Sequence, residues 1–270
     1  MQRHRSITKL LLAFSALLLA LTLNPFAFGQ TKAPAKPAEQ APAQRQFISI
    51  QILHIKPGMG AEWREFRKNV TLPMLQKAGT KEQRLWSSAI FGEGNTYLII
   101  TPIESLAAYD NPSPAVRALG QEGAAAYQAK AARFIESSHT IAIETRPDLS
   151  IQPGDQPKFM ALTENIIENG YNTEYENFVK TKVLPMMKKA GYKGYRVSRV
   201  IYGGNLNLYR SAALFDSWEE LGKYREALSK EIAATKFSSK GVGIVSRENA
   251  VFRFVPELSI VPAPVKVANK

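Results

Sequence analysis

The sequence predicts an α+β protein in which two tandem copies of one β-α-β-β-α-β unit pack sheet to sheet within a single chain. Two observations lead to this prediction. When the chain is displaced by 112 residues, residues 47–79 align with residues 159–191 without a gap, and 12 of the 33 positions are identical. Both copies also pass from an extended apolar segment into a segment with apolar residues at helical spacing.

Each copy begins with a strand, at residues 47–55 and at residues 159–167. A glycine, Gly58 or Gly170, follows the strand and marks the turn into a helix. In the second copy Thr173-x-x-Glu176 has the spacing of a capping box, in which a hydroxyl and a carboxylate bond the first free N–H groups of a helix. The sequence therefore predicts that this helix begins at Thr173.

The first helix of each copy is expected to end at a glycine, Gly79 or Gly191, because glycine accepts the left-handed conformation that closes a helix. Pro73 and Pro185 lie within the last two turns. Proline lacks the N–H that an intact helix needs, so both helices are expected to kink or break there.

A hairpin follows in each copy, with turns at residues 92–94 and 203–204. A second helical region comes next, opened in copy two by Ser217-x-x-Glu220, and a last strand ends the copy. This order is that of the ferredoxin-like unit, whose two helices cover only one face of the sheet. The other face needs a partner, which the second copy supplies. We therefore expect a monomer with an internal pseudo-dimer, or a higher homo-oligomer of it.

The chain resembles the dimeric α+β barrel superfamily, which includes proteins like the antibiotic-biosynthesis monooxygenases and the NIPSNAP proteins. The resemblance lies in a first strand that runs into Ile55-Lys56-Pro57-Gly58, then Glu62-Trp63-x-x-Phe66, and in the element order of both halves. It covers roughly residues 47–262 and implies an intramolecular version of that barrel. No catalytic motif of the superfamily comes with it.

The N-terminus has the features of an export signal. Arg3, Arg5 and Lys9 precede an apolar stretch free of acidic residues, and Ala27-Phe28-Gly29 places small residues where a signal peptidase cleaves. We expect a periplasmic or secreted protein without stable membrane insertion after cleavage; retention of the stretch as an anchor is the alternative. The predicted segments are a signal peptide (1–29), a disordered Pro/Ala linker (30–46), two ferredoxin-like repeats (47–157 and 158–262) and a flexible tail (263–270).

Composition excludes several kinds of chemistry. The chain has no cysteine, so disulfides, thiolate catalysis and cysteine-bound metals are absent. The net charge is +12, but export and the internal use of one sheet face argue against nucleic acid as a partner. Motifs of serine hydrolases, zinc proteases and nucleotide-binding loops are also missing.

Strand alternation provides a prediction for the ligand site. Positions 48, 50 and 52 are uniformly apolar, so we expect this face to lie under the helices and the opposite face to line a cavity between the two sheets. That assignment makes Gln51, Thr163 and Asn165 candidate ligand-binding residues, with Trp86 on a neighbouring strand. Solvated or structural contacts are the alternative for the polar three.

Three further candidates come from differences between the copies. His139 stands where copy two has Glu248, and it is the candidate titratable group of the site. Arg199 and Tyr209 lie in the hairpin of copy two, where a guanidinium beside a phenol would suit a carboxylate or phenolate ligand; exposed hairpin charge is the alternative. No metal site and no cofactor are predicted.

The sequence thus favours an exported protein that binds a small molecule in a cavity between its two repeats. A cofactor-independent, monooxygenase-like enzyme acting on a small aromatic substrate is an alternative hypothesis. Haem binding, with His139 as the axial ligand, is another, and a role purely in protein interaction is a fourth.

Overall fold

The computed structural model describes residues 44–235 and 237–262. The predicted signal peptide, most of the predicted linker and the C-terminal tail lie outside these residues. The described residues belong to one compact unit, which contains both repeats. No helix among the described residues has the length and apolar content needed to cross a membrane.

Eight strands form a closed antiparallel barrel in the order β1-β3-β2-β8-β5-β7-β6-β4. The strands are β1 (Phe47–Ile55), β2 (Arg84–Ser88), β3 (Thr96–Ile103), β4 (Ile135–Thr145), β5 (Phe159–Ile167), β6 (Gly194–Tyr202), β7 (Leu208–Phe215) and β8 (Ile244–Phe254). The first strand of each repeat spans the predicted residues. The last strands, β4 and β8, have 11 residues each.

The repeats are joined edge to edge as well as face to face. Within each repeat the strands have the order 4-1-3-2 of a ferredoxin-like unit. Strand β2 then pairs with β8, where Trp86 lies opposite Phe254, and β4 pairs with β6, where Glu144 lies opposite Arg199. Closing both edges removes exposed strand backbone. The prediction of two tandem ferredoxin-like repeats forming an intramolecular barrel is confirmed.

Helices cover the outside of the barrel. They are α1 (Gly60–Phe66), α2 (Leu72–Lys77), α3 (Pro114–Ala132), α4 (Asn172–Phe178), α5 (Leu184–Lys189) and α6 (Trp218–Thr235).

The prolines interrupt the helices as the sequence predicts. A π-helical turn, Arg67–Thr71 or Val179–Val183, separates α1 from α2 and α4 from α5, and Pro73 or Pro185 follows it in the first turn of the next helix. The wider turn accommodates a residue that has no N–H to donate.

One of the two predicted capping boxes is absent. The backbone N–H of Glu220 donates to Ser217 Oγ at 3.1 Å, so the prediction at α6 is confirmed. Helix α4, however, begins at Asn172 without a side-chain cap. Glu176 instead points toward the sheet, where it accepts a hydrogen bond from Tyr209.

The prediction of which strand face looks into the barrel was wrong. Ile50 and Leu162, at the uniformly apolar positions, lie in a buried cluster that draws side chains from both repeats and fills the barrel interior. The opposite face packs under the helices. In repeat one, for example, Leu53 of β1 lies in a buried cluster with Trp63 of α1. The interior of an eight-stranded barrel is filled by side chains, which requires the more uniformly apolar face. The helix-covered face of these two strands carries Gln51, Thr163 and Asn165.

Candidate ligand cavity of the second repeat

A cavity of about 400 Å³ lies between the sheet and the helices of repeat two. Its size falls at the lower end of the roughly 300–1,000 Å³ typical of small-molecule sites. The floor consists of strand residues that point outward from the barrel, namely Ala161, Thr163, Asn165, Tyr195, Ser211, Ala213 and Arg247. The roof consists of helical and loop residues, namely Tyr175, Phe178, Val179, Val183, Met186, Met187, Tyr192, Leu221, Arg225, Leu228, Ile232 and Phe237.

The polar part of the cavity is centred on Asn165, which is 4% exposed. Its Nδ2 donates to the hydroxyl of Tyr175 at 3.2 Å, and its Oδ1 accepts from Nε of Arg247 at 2.8 Å. These two bonds fix the direction in which the amide points, since each end of the amide has one partner of the right kind. A buried amide without partners would cost about 1–3 kcal/mol, so the two bonds also hold the site together.

The tyrosines of the cavity remain neutral. Burial raises the pKa of Tyr175, because desolvation opposes the phenolate. Burial likewise raises the pKa of Tyr195 and of Tyr192. At physiological pH the three hydroxyls therefore act as hydrogen-bonding groups and do not act as bases.

The roof helix α4 is fastened to the sheet by a charged network. The carboxylate of Glu176 accepts a hydrogen bond from the hydroxyl of Tyr209 at 2.7 Å and another from Nη1 of Arg146. Arg146 also donates to both carboxylate oxygens of Asp148, at 2.9 and 2.8 Å. The Arg146 guanidinium in turn lowers the pKa of Asp148. The distance between roof and floor is thereby held at this end of the helix.

In repeat one, the side chain of Arg67 takes the place of the cavity. Val179 of the cavity corresponds to Arg67 in the 112-residue alignment, and Arg67 is 3% exposed. Its Nη2 donates to Gln83, the counterpart of Tyr195, at 2.8 Å, and its Nε donates to the carbonyl of Leu258 at 3.0 Å. Burial lowers the pKa of Arg67 to about 10, so it remains charged near neutral pH. The arginine occupies the room that valine leaves open in repeat two.

Two of the candidate residues lie in this cavity, although on a different side of the sheet from the one predicted. Thr163 and Asn165 line its floor, under the helices. Gln51, the counterpart of Thr163, lies under the helices of repeat one and donates to Ser138 Oγ at 3.1 Å. Trp86 is buried in the barrel interior, with its ring centroid 5.3 Å from that of Phe254. The structure does not bring the four together.

The other three candidates also lie outside the cavity. His139 is exposed and stands opposite Ile52 on the barrel side of β4. Tyr209 is fully buried, and Arg199 lies 5.7 Å from its ring centroid. The expected pairing of guanidinium and phenol therefore exists, but the phenol hydroxyl is bonded to Glu176 and the guanidinium donates to the carbonyl of Leu206. Both groups have partners within the chain.

Tyr175 and Arg247 complete the cluster of polar side chains around Asn165, and neither was predicted from the sequence. Each replaces a residue without a comparable hydrogen-bonding head in repeat one: Trp63 stands in place of Tyr175, and Ser138 in place of Arg247. The change from Arg67 to Val179, which opens the cavity, was visible in the same alignment. Comparison of the repeats along the first helix, and not only along the strands, would have indicated the site.

In the part of the chain that the structure describes, both histidines lie outside this cavity. No group of three or more histidine, aspartate or glutamate side chains there is arranged to hold a metal ion. His54 and His139 both lie on the barrel side of their strands. The cavity lining contains no histidine, and His139, the expected axial ligand, is outside it.

No protein-family model matches the sequence, and a search of curated proteins finds no significant relative. Several solved structures share the fold. A "putative monooxygenase" from Lactobacillus acidophilus NCFM aligns with a TM-score of 0.51 at 13% identity, over 78% of this chain and 94% of that one. An anthrone oxidase-like protein aligns with a TM-score of 0.52 at 10% identity, over 79% and 92%. A mutant chlorite dismutase from Candidatus Nitrospira defluvii aligns with a TM-score of 0.51 at 6% identity, over 79% and 92%.

These structures agree in architecture and differ widely in sequence. At such low identities they establish the fold alone. Together with the closed eight-stranded barrel, they show that the chain has the dimeric α+β barrel fold, as the resemblance in its sequence implied.

Proposed function

We propose that this dimeric α+β barrel binds a small, mainly apolar molecule in the cavity of the second repeat. The observation that carries the proposal is the cavity itself. Its walls are aliphatic, methionine and aromatic side chains, and a cluster of polar side chains around Asn165 lies at its floor. Such a combination of apolar walls with a few fixed polar groups is typical of small-molecule sites. The ligand lies between helix and sheet, and not between the two sheets.

Asn165 and Tyr175 offer hydrogen-bond donors to the ligand. Asn165 Nδ2 has two hydrogens, and one of them is used by Tyr175. The hydroxyl of Tyr175 accepts that bond and retains its own hydrogen for another acceptor. A ligand with a carbonyl, quinone or carboxylate oxygen at one end and an apolar or aromatic body matches this arrangement. Charge supports the match, since Arg225 and Arg247 are the ionised side chains of the lining.

The chemistry of the lining favours binding over proton transfer. A cofactor-independent oxidation of an aromatic substrate needs a base to deprotonate that substrate. The lining holds no histidine or carboxylate, and burial raises the pKa values of its tyrosines. The monooxygenase-like enzyme therefore remains the alternative, to be tested by oxygen consumption with any compound that the protein is found to bind.

We also propose that the protein acts outside the cytoplasm, as a periplasmic or secreted binder. The support is the charge and apolar pattern of residues 1–29.

Mass spectrometry of compounds released from the purified protein tests the binding proposal. We expect an apolar or aromatic compound with an oxygen acceptor in the wild type, and its loss in Ala161→Leu, which fills the floor of the cavity. Ser49→Leu is the matched control, because Ser49 is the counterpart of Ala161 in repeat one. Asn165→Leu is expected to weaken binding at least about tenfold. His139→Ala is expected to have no effect, since its side chain lies outside the cavity.

The same compound retained in Ala161→Leu, or lost equally in Ser49→Leu, would show that the cavity is not the site. Circular dichroism of each variant separates loss of binding from loss of fold.

A further inference from the structure

A second cavity, of about 260 Å³, lies on the opposite side of the β5-β7 sheet, at one end of the barrel interior. Its walls come mainly from residues of both repeats on the barrel-facing side of their strands. They are Ile52, His54, Thr96, Leu98, Leu162, Glu164, Arg210, Glu248, Ala250 and Phe252, with Gly92 and Glu93 from the hairpin of repeat one and Asn249 from the helix-covered side of β8.

The base of this cavity contains a buried arginine with unused hydrogen-bonding capacity. Arg210 is 4% exposed, and its Nε lies 2.7 Å from Oε1 of Glu164. Neither Nε nor Nη1 makes a well-oriented hydrogen bond with any residue that the structure describes. A guanidinium group often binds a carboxylate through two of its nitrogens. Glu164, however, pairs with Arg210 through Nε alone. The free Nη1 is a donor that an acidic ligand would satisfy.

The neighbouring strand adds an uncompensated negative charge. Glu164 stands directly opposite Arg210 on β7 and directly opposite Glu248 on β8. Two carboxylates facing each other across a strand pair destabilise a sheet unless a cation lies near them. Glu248 is exposed and makes no salt bridge within the described part of the chain, whereas Arg210 pairs with Glu164. The rim of the cavity is therefore suited to a positive charge.

The fold itself does not require these charges. In repeat one the counterparts of Glu164, Arg210 and Glu248 are Ile52, Leu98 and His139. Repeat one thus has two apolar side chains and an exposed histidine at the positions where repeat two has three charged side chains. A buried ion pair is often no more stabilising than apolar residues of similar volume, so stability alone does not explain the pair in repeat two.

We propose that this barrel cavity is a second binding site, for a small zwitterion that carries a carboxylate and an ammonium group. The carboxylate binds Nη1 of Arg210, and the ammonium group lies toward Glu248, with Glu93 at the rim. One arginine and three glutamates line the cavity, so a polyanion is disfavoured and a neutral zwitterion or a monocation is favoured. The volume, below the range of drug-sized sites, restricts the ligand to a molecule about as large as an amino acid.

Calorimetric titration with three matched probes at pH 7 tests the proposal. The probes are 4-aminobutanoate, which carries both charges, and butanoate and butylammonium, which carry one each. We expect 4-aminobutanoate to bind at least about tenfold more tightly than either. Glu248→Gln is expected to weaken binding of 4-aminobutanoate and to leave binding of butanoate unchanged.

The variant that removes the site is Glu164→Ile with Arg210→Leu, which copies Ile52 and Leu98 of repeat one. This pair removes both charges together, so no buried charge is left unpaired and the fold should persist. We expect it to bind 4-aminobutanoate at least about tenfold more weakly. Ala161→Leu, in the helix-side cavity, is expected to leave this affinity unchanged.

Equal affinity of the wild type for 4-aminobutanoate and butanoate would overturn the proposal. Unchanged affinity of the double variant for 4-aminobutanoate would also overturn it. So would the absence of any heat of binding when the wild type is titrated with 4-aminobutanoate to about 10 mM. None of these outcomes bears on the helix-side cavity, because the two sites lie on opposite faces of the sheet and are tested with different variants.

Discussion

The hydroxyl of Tyr209 donates a 2.7 Å hydrogen bond to Oε1 of Glu176, and this bond joins strand β7 to helix α4 beside the ligand cavity. The ring of Tyr209 is fully buried and lies 4.7 Å from that of Tyr175. The same carboxylate holds Arg146. Loss of the phenol hydroxyl therefore removes one of the bonds that fasten helix α4, part of the roof of the cavity, to the sheet.

Tyr209→Phe is expected to lower the free energy of unfolding by about 1–3 kcal/mol, as for a hydrogen bond to a charged group. Urea unfolding measures this change. Tyr97→Phe is the matched control, since Tyr97 is its counterpart in repeat one and its oxygen accepts a longer bond, 3.3 Å, from Arg64. An equal loss in the two variants would contradict a special role for the Glu176 bond.

Trp86→Ala is expected to destabilise the whole molecule by about 3–5 kcal/mol, because it opens a hole in the shared barrel core. Trp86 lies on β2, which pairs with β8 of the other repeat. We therefore expect both repeats to unfold in one transition, with far-UV and near-UV circular dichroism changing together. Trp218→Ala, on the half-buried side of α6, should cost less. Two separate transitions would contradict the shared core.

Acid is expected to weaken the start of helix α6. Burial opposes ionisation of Glu220, but the backbone N–H of Asp216 and the side chains of Lys193 and Tyr224 outweigh it and lower the pKa to about 2. A carboxyl with a lowered pKa stabilises the folded state above its unfolded pKa, about 4.5, and this contribution is lost as the pH falls toward 2.

The stability difference between the wild type and Glu220→Gln should therefore be present at pH 6 and shrink as the pH falls toward 2, in urea unfolding at each pH. Glu226→Gln on the same helix is the control. Its carboxylate forms an exposed pair with Lys230, and such pairs contribute little. A pH dependence as large in Glu226→Gln would show that general acid unfolding, and not Glu220, is responsible.

The mature chain is expected to begin at Gln30 when the full sequence is expressed in a bacterium with an export pathway. Mass spectrometry of the soluble protein gives the N-terminal residue directly. Ala27→Arg should block cleavage, because the −3 position accepts small residues. An intact Met1 on wild-type protein in the cytoplasmic fraction would refute the export hypothesis.

The architecture could be predicted because the internal repeat and the positions of glycine and proline can be read directly from the sequence. It did not predict which face of β1 and β5 looks into the barrel. Both faces of these strands are covered, one by the opposite half of the barrel and one by helices, so alternation shows two environments without saying which is which. The closed interior requires the more apolar face, and Ile48, Ile50 and Ile52 therefore point inward.

The candidate site was only partly predictable for a related reason. Asn165 and Thr163 were identified as polar positions on a covered face, and that feature is local. The partners of Asn165 are Tyr175 of α4 and Arg247 of β8, and only the three-dimensional path of the chain brings these elements together. Glu176 matched a capping pattern in the sequence, yet its carboxylate is used by Tyr209 and Arg146.

Because one chain carries both halves, their association through the β2-β8 and β4-β6 pairs is independent of protein concentration. In a homodimer of the same shape, dilution would separate the halves, and one codon change would alter both symmetry-related positions. Because both halves lie in one chain, Val179 can differ from its counterpart Arg67, and Arg210 from its counterpart Leu98. One half can thus carry a binding site that the other half lacks.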